Sequence, residues 1–115
     1  MKRYTLKQLF NIVDGRLATK MEDIYDILGH VCNEPGLMTH HLPVAKDYIF
    51  SKHPEWITTV RQDLNNLGIT DATPFPICME LIDLNPKSYD VPQLSDLSDF
   101  GDYMVENSIL LKKFA

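Results

Sequence analysis

Apolar residues recur at helical spacing through the first two thirds of the chain and lose that spacing beyond residue 68. Leu6, Leu9, Phe10 and Val13 fall on one face of a helix from about Leu6 to Val13. Thr5 and Gln8 stand at the spacing of a capping box before it, and Gly15 suits a left-handed stop after it. A second helix, about Lys20 to Cys32, follows from the 3.6-residue period of Met21, Ile24, Tyr25, Leu28, Val31 and Cys32. Thr19 and Glu22 repeat the capping-box spacing there, and Glu22, Asp23 and Asp26 lie early in the helix, where carboxylates favour its positive end. Gly29 is costly inside a helix and implies a close backbone neighbour.

The loop at Asn33 to Gly36 leads into Leu37-Met-Thr-His-His-Leu-Pro43. Thr39 is a cap candidate and Pro43 belongs in the first turn of a third helix reaching about Ser51, with Leu42, Ala45, Tyr48 and Ile49 inward. His53-Pro54 ends that helix and starts a fourth, Pro54 to about Leu67, with Ile57, Val60, Leu64 and Leu67 on one stripe, Trp56 at its edge and Gly68 as its stop. Residues 69 to 76 carry two prolines and no period, as a connector does. Ile77 to Leu84, bounded by Pro76 and Asn85-Pro86, has the length of a strand, and Leu94, Leu97 and Phe100 indicate a helical turn after Pro92. Asn107 to Phe114 is again strand-like and is expected to pair with 77 to 84. The reading is an α+β chain forming a single domain over 1–115: about four short helices in the N-terminal two thirds, then a small C-terminal β-sheet and one further short helix.

At 115 residues, 44% hydrophobic and 23% charged, the chain has the size and composition of one globular domain that folds without a metal or disulfide. Cys32 and Cys78 read as reduced, buried small hydrophobes. The N-terminal stretch has neither a signal-like nor a membrane-spanning apolar run, so a cytoplasmic location and no membrane partner are expected.

The net charge of −5 is unevenly spread. Residues 1 to 75 hold eight Lys or Arg against nine Asp or Glu, whereas 76 to 108 hold Lys87 alone against Glu80, Asp83, Asp90, Asp96, Asp99, Asp102 and Glu106. Such a surface repels phosphate backbones and excludes tight, direct DNA binding. It complements a basic protein surface, with Asp90, Asp96, Asp99, Asp102 and Glu106 supplying charge and Phe100 and Tyr103 apolar anchors. A helix-turn-helix reading of the first two helices fails on charge, since Glu22, Asp23 and Asp26 would face the phosphates.

Chemistry is thinly signalled. The four histidines include adjacent His40 and His41, which rarely converge on one ion, and no His-x-x-x-His or Cys-x-x-Cys unit occurs, so no metal and no cofactor are expected. Neither cysteine has a nucleophile context, and phosphate loops, Gly-x-Ser-x-Gly elbows and paired-carboxylate signatures are missing, so the chain is not read as an enzyme. One candidate anion site remains, with Arg16, His40 and His41 sharing a helix mouth.

Tyr4-Thr-Leu6, Gly15-Arg-Leu17, Tyr25-Asp-Ile-Leu28, Met38-Thr-His-His-Leu-Pro43, Ala45 and His53-Pro54 resemble a family of small uncharacterised proteins encoded by tailed bacteriophages and prophages. The likeness covers about the first half of the chain, and its most specific piece is Thr-His-x-Leu-Pro. Val44 stands where a basic residue often follows the proline, which weakens the anion site. The resemblance implies a phage origin and brings no activity with it. Compact acidic phage proteins without motifs often block a host protein, anti-CRISPR and other anti-defence inhibitors among them. The function expected is therefore a host-protein inhibitor acting by steric or electrostatic blocking. The alternatives are a nucleic-acid-associated regulator of phage development and a structural or assembly accessory.

Overall fold

The computed structural model describes residues 1–34 and 36–94. The chain is α+β, in the order β1 (Lys2–Thr5), α1 (Leu6–Val13), α2 (Met21–Val31), a 3-10 turn (Thr39–His41), α3 (Leu42–Ser51), α4 (Glu55–Asn66), α5 (Phe75–Leu84) and β2 (Ser88–Val91). α1 is the centre. It packs against β1, α2, α4 and α5, and Leu6, Leu9, Phe10, Asn11 and Ile12 are all buried along it. Burial on several sides is why its apolar residues spill beyond the single face that the sequence period suggests.

The capping box forms as expected: the Gln8 N–H donates to Thr5 Oγ1 at 3.1 Å, and the Thr5 N–H donates to Gln8 Oε1 at 2.9 Å. Thr5→Ala is expected to cost about 1 kcal/mol, measured as a fall in the denaturant midpoint, because one amide of the first turn loses its acceptor. Gly15 and Gly68 take positive φ of 97° and 80° beyond α1 and α4.

The second cap differs from expectation. Lys20, not Thr19, precedes α2 and makes no side-chain cap bond. Thr19 Oγ1 instead accepts from Asn11 Nδ2 at 2.5 Å, and Asn11 Oδ1 takes the N–H groups of Ala18 and Thr19 at 2.6 and 3.2 Å. Asn11 therefore holds the α1–α2 link. The inward face of α2 is centred on Ile27, Leu28 and Val31, leaving Ile24 half-buried and Met21 exposed. α2 ends on Asn33 at φ 54°, with the Glu34 N–H donating to the Gly29 carbonyl at 2.8 Å and the Asn33 N–H to that of His30 at 3.2 Å. This is a Schellman closure. It supplies the close neighbour at Gly29, where a Cβ would stand 3.1 Å from the Glu34 carbonyl oxygen.

The main correction concerns 77 to 84, which is helix α5 and not a strand. Pro74 precedes it and Pro76 sits in its first turn, where a missing N–H costs nothing, so Pro76, read as a strand boundary, is a helix-start signal. The sheet is made elsewhere. β1 and β2 pair antiparallel with Lys2 opposite Val91, Arg3 opposite Asp90, Tyr4 opposite Tyr89 and Thr5 opposite Ser88. The expected strand at 107 to 114 and the turn at Leu97 and Phe100 lie outside the described residues.

A two-stranded ribbon is marginal alone, and this one is fastened to two helices. Tyr4 Oη donates to Asp26 of α2 at 2.9 Å and Tyr89 Oη donates to Asp63 of α4 at 2.5 Å. Lys2 and Lys87 reach the same two carboxylates at 2.8 and 3.3 Å. Burial and the adjoining carboxylates push both tyrosine hydroxyls well above their ordinary range, which keeps them as donors.

Candidate functional site

The residues expected to share an anion site are used separately. Arg16 follows the left-handed Gly15, and its guanidinium turns back on Asp14, with Nε and Nη2 at 2.7 and 3.0 Å from the two carboxylate oxygens. Nη2 also donates to the Thr70 carbonyl at 3.1 Å, Nη1 donates to the Thr73 carbonyl, and the group lies over the Phe10 ring at 5.5 Å. Arg16 thus ties the end of α1 to the α4–α5 connection. The Arg16 hydrogen bonds hold the Asp14 carboxyl below its usual range, although its burial opposes this. With Asp14 and two carbonyls occupying its donors, Arg16 is a structural clamp, and no contact joins it to His40 or His41.

His40 and His41 lie in the 3-10 turn, their ring centroids 4.0 Å apart. The Met38 N–H donates to His41 Nδ1 at 3.0 Å, which requires an unprotonated nitrogen there, and Tyr25 Oη shares a hydrogen bond of 2.6 Å with Thr39 Oγ1, fastening the turn to α2. Burial, then the neighbouring His40, lowers the His41 pKa below 6.5, while Glu34 pulls the other way. A histidine with a depressed pKa in the folded state contributes stability that is full above the unfolded value and is lost as pH falls through the folded one. Acidification below 6.5 is therefore expected to loosen residues 38 to 41, and His41→Ala to remove that part of the pH dependence. Amide exchange at Met38 across pH 5 to 7 measures it.

Of the expected partner-binding residues, Asp90 lies on β2 and pairs with Arg3 across the ribbon at 3.0 Å. Asp96, Asp99, Phe100, Asp102, Tyr103 and Glu106 lie outside the described residues. A cleft of about 370 Å³ between the ribbon and α5 is lined by Arg3, Lys7 and Lys87. Each of these cations already has a carboxylate, on Asp90, Asp83 and Asp63 at 3.0, 3.1 and 3.3 Å, so the cleft is largely neutralised.

α5 presents a surface that the strand reading concealed. Cys78 and Ile82 are buried, while Ile77 and Leu84 are 46% and 71% exposed on a helix seven-tenths of whose residues are apolar. Glu80 and Asp83 are exposed on the same outer side. Apolar residues at i, i+4 and i+7 occur from Pro74 onward both as Phe75, Met79 and Ile82 and as Ile77, Leu81 and Leu84, the signature of a helix apolar on two sides.

Cys32 and Cys78 are free and buried, and burial pushes the Cys32 thiol up to about 12, far from a nucleophile's range. Among the described residues, no three His, Cys, Asp or Glu side chains are grouped so as to hold a metal ion, and no helix is long and apolar enough to cross a membrane. Compared with protein-family models, with curated proteins and with solved structures, the chain matches none of them.

Proposed function

We propose that this chain is a phage-encoded protein-binding inhibitor that acts in the cytoplasm of a bacterial host, occupying a basic surface of a host protein and blocking it by bulk and charge. It carries out no reaction of its own. The observation that supports this reading best is the exposure of Glu80, which has no ion-pair partner among the described residues, beside exposed Ile77 and Leu84 on α5, on a chain of net charge −5. Exposed carboxylates steer a basic partner, and apolar area beside them supplies the contact that charge alone does not. The described basic side chains around the ribbon are paired with carboxylates, which disfavours a phosphate backbone as the partner.

The test is affinity purification from infected cells followed by association kinetics across a salt series. Reversal of Asp96, Asp99 and Asp102 to Lys is expected to slow association with the captured protein and flatten its salt dependence, since a change of six in net charge alters a steering that salt screens over about 8 Å at physiological ionic strength. Equal rates at every salt concentration would sink the electrostatic part. Submicromolar, salt-sensitive binding to duplex DNA by the chain alone would replace the whole reading with a nucleic-acid one.

A further inference from the structure

We infer that α5 is the apolar anchor of this interaction, inserting the ridge Ile77, Leu81, Leu84 into an apolar groove of the partner protein whose rim carries Lys or Arg. The inference rests on the protein-binding reading above and deepens it.

On α5, 3.6 residues per turn separate the side chains into two sets. Cys78 and Ile82 are buried and Phe75 and Met79 half-buried, on the side that meets the core next to α1. Ile77 and Leu84 are exposed on the other side, and Leu81 between them is half-buried and also packs against the core. Their spacing, i, i+4 and i+7, draws a ridge about 10 Å long at a rise of about 1.5 Å per residue. This is the pattern by which an amphipathic helix lies in a groove. A helix that served only the core would carry polar residues here, as α4 does at Thr58, Thr59, Arg61 and Gln62.

The acidic side chains select the occupant. Glu80 and Asp83 run along one flank of the ridge; Asp83 is 3.1 Å from Lys7, and among the described residues Glu80 has no ion-pair partner. A second copy packing antiparallel about the middle of α5 would set Glu80 against its own counterpart, and like charges there oppose closure. A bilayer surface is disfavoured too, because interfacial helices flank their apolar face with Lys and Arg, the reverse of this flank. A partner groove with a basic rim satisfies both the ridge and Glu80.

The experiment uses the full chain produced in host cells with the photo-crosslinker p-benzoylphenylalanine at Leu84, or at Leu17 as a control, since Leu17 is also exposed, at 48%, but lies in the α1–α2 link. A discrete adduct with a different protein is expected from position 84 and not from position 17. The partner recovered from it should bind the unmodified chain, and Ile77→Asp with Leu84→Asp should weaken that binding by at least about 30-fold, the loss that a single interface hot spot produces. Glu80→Lys should weaken it less. Circular dichroism and the thermal midpoint should match the parent, and Ile77→Ala with Leu84→Ala replaces the double aspartate should that variant unfold. An adduct only with a second copy, no adduct at 84, or equal affinity of parent and variants would each overturn the inference. Unchanged affinity with salt-dependent steering intact removes the α5 anchor and leaves the protein-binding reading standing. No captured protein at all removes both.

Discussion

Phe10→Ala is expected to lower the stability of the fold by about 3–5 kcal/mol, the range for emptying a large aromatic site in a packed core. Phe10 has no exposed surface and sits on α1, which packs against α2, α4 and α5. Its ring also lies under the Arg16 guanidinium, so truncation would remove the platform on which the α1 to α4–α5 clamp rests. Surrounding helices held by their own packing contacts cannot collapse fully into the space. Since a domain of this size is typically stable by about 5–15 kcal/mol, the loss would move a urea midpoint far towards zero. An unchanged slope with a shifted midpoint is the expected form. Leu28→Ala should cost about 2–5 kcal/mol, because Leu28 is wholly buried, whereas Ile24→Ala should cost less, because Ile24 is half-buried. Equal losses at 24 and 28 would contradict the orientation of α2.

Asn11→Ala should be nearly as damaging, on the order of 2–4 kcal/mol, for a different reason. Asn11 is 2% exposed and is the buried polar side chain of the described core, with its carbonyl oxygen taking two backbone N–H groups and its amide reaching Thr19. Alanine leaves the Ala18 and Thr19 amides without their acceptor, and each buried amide so stranded costs about 1–3 kcal/mol. Asn11→Asp keeps the acceptor and loses only the donor to Thr19, so below the carboxyl's pKa it should recover part of the loss. Thr19→Ala removes the same single bond and should cost less than Asn11→Ala. Thermal unfolding of the three variants at two pH values orders them, and a Thr19→Ala loss as large as that of Asn11→Ala would show that Thr19 acts otherwise.

The candidate interaction surface was half legible. Acidic excess can be counted along the chain, and Asp90 is exposed where charge alone would put it. Its pairing with Arg3 could not be counted, because it depends on a strand register between residues 87 apart in the chain. The α5 ridge was hidden because ten residues, seven of them apolar and bounded by prolines, have a period that fits either a strand or a buried helix. Pro76 in a helical first turn was the deciding local signal. Arg16, His40 and His41 share charge and rarity in the sequence, but nothing along the chain says that Arg16 would meet Asp14 and two carbonyls of the α4–α5 connection.

By itself the sequence determined four helices, since each rests on contacts no further than four residues along the chain: the Thr5–Gln8 box, the apolar periods of α2 and α4, Pro43 in the first turn of α3, and the left-handed glycines after α1 and α4. Local backbone geometry and a 3.6-residue period suffice for these. The tertiary structure alone decided that α1 is the centre, that Lys2–Thr5 pairs with Ser88–Val91, and that Asn11 holds the α1–α2 link through Thr19, which was expected to cap α2. Those outcomes depend on which surfaces meet. Burial and long-range hydrogen bonds are shared between segments far apart in sequence, and no single segment carries the information that chooses its partner.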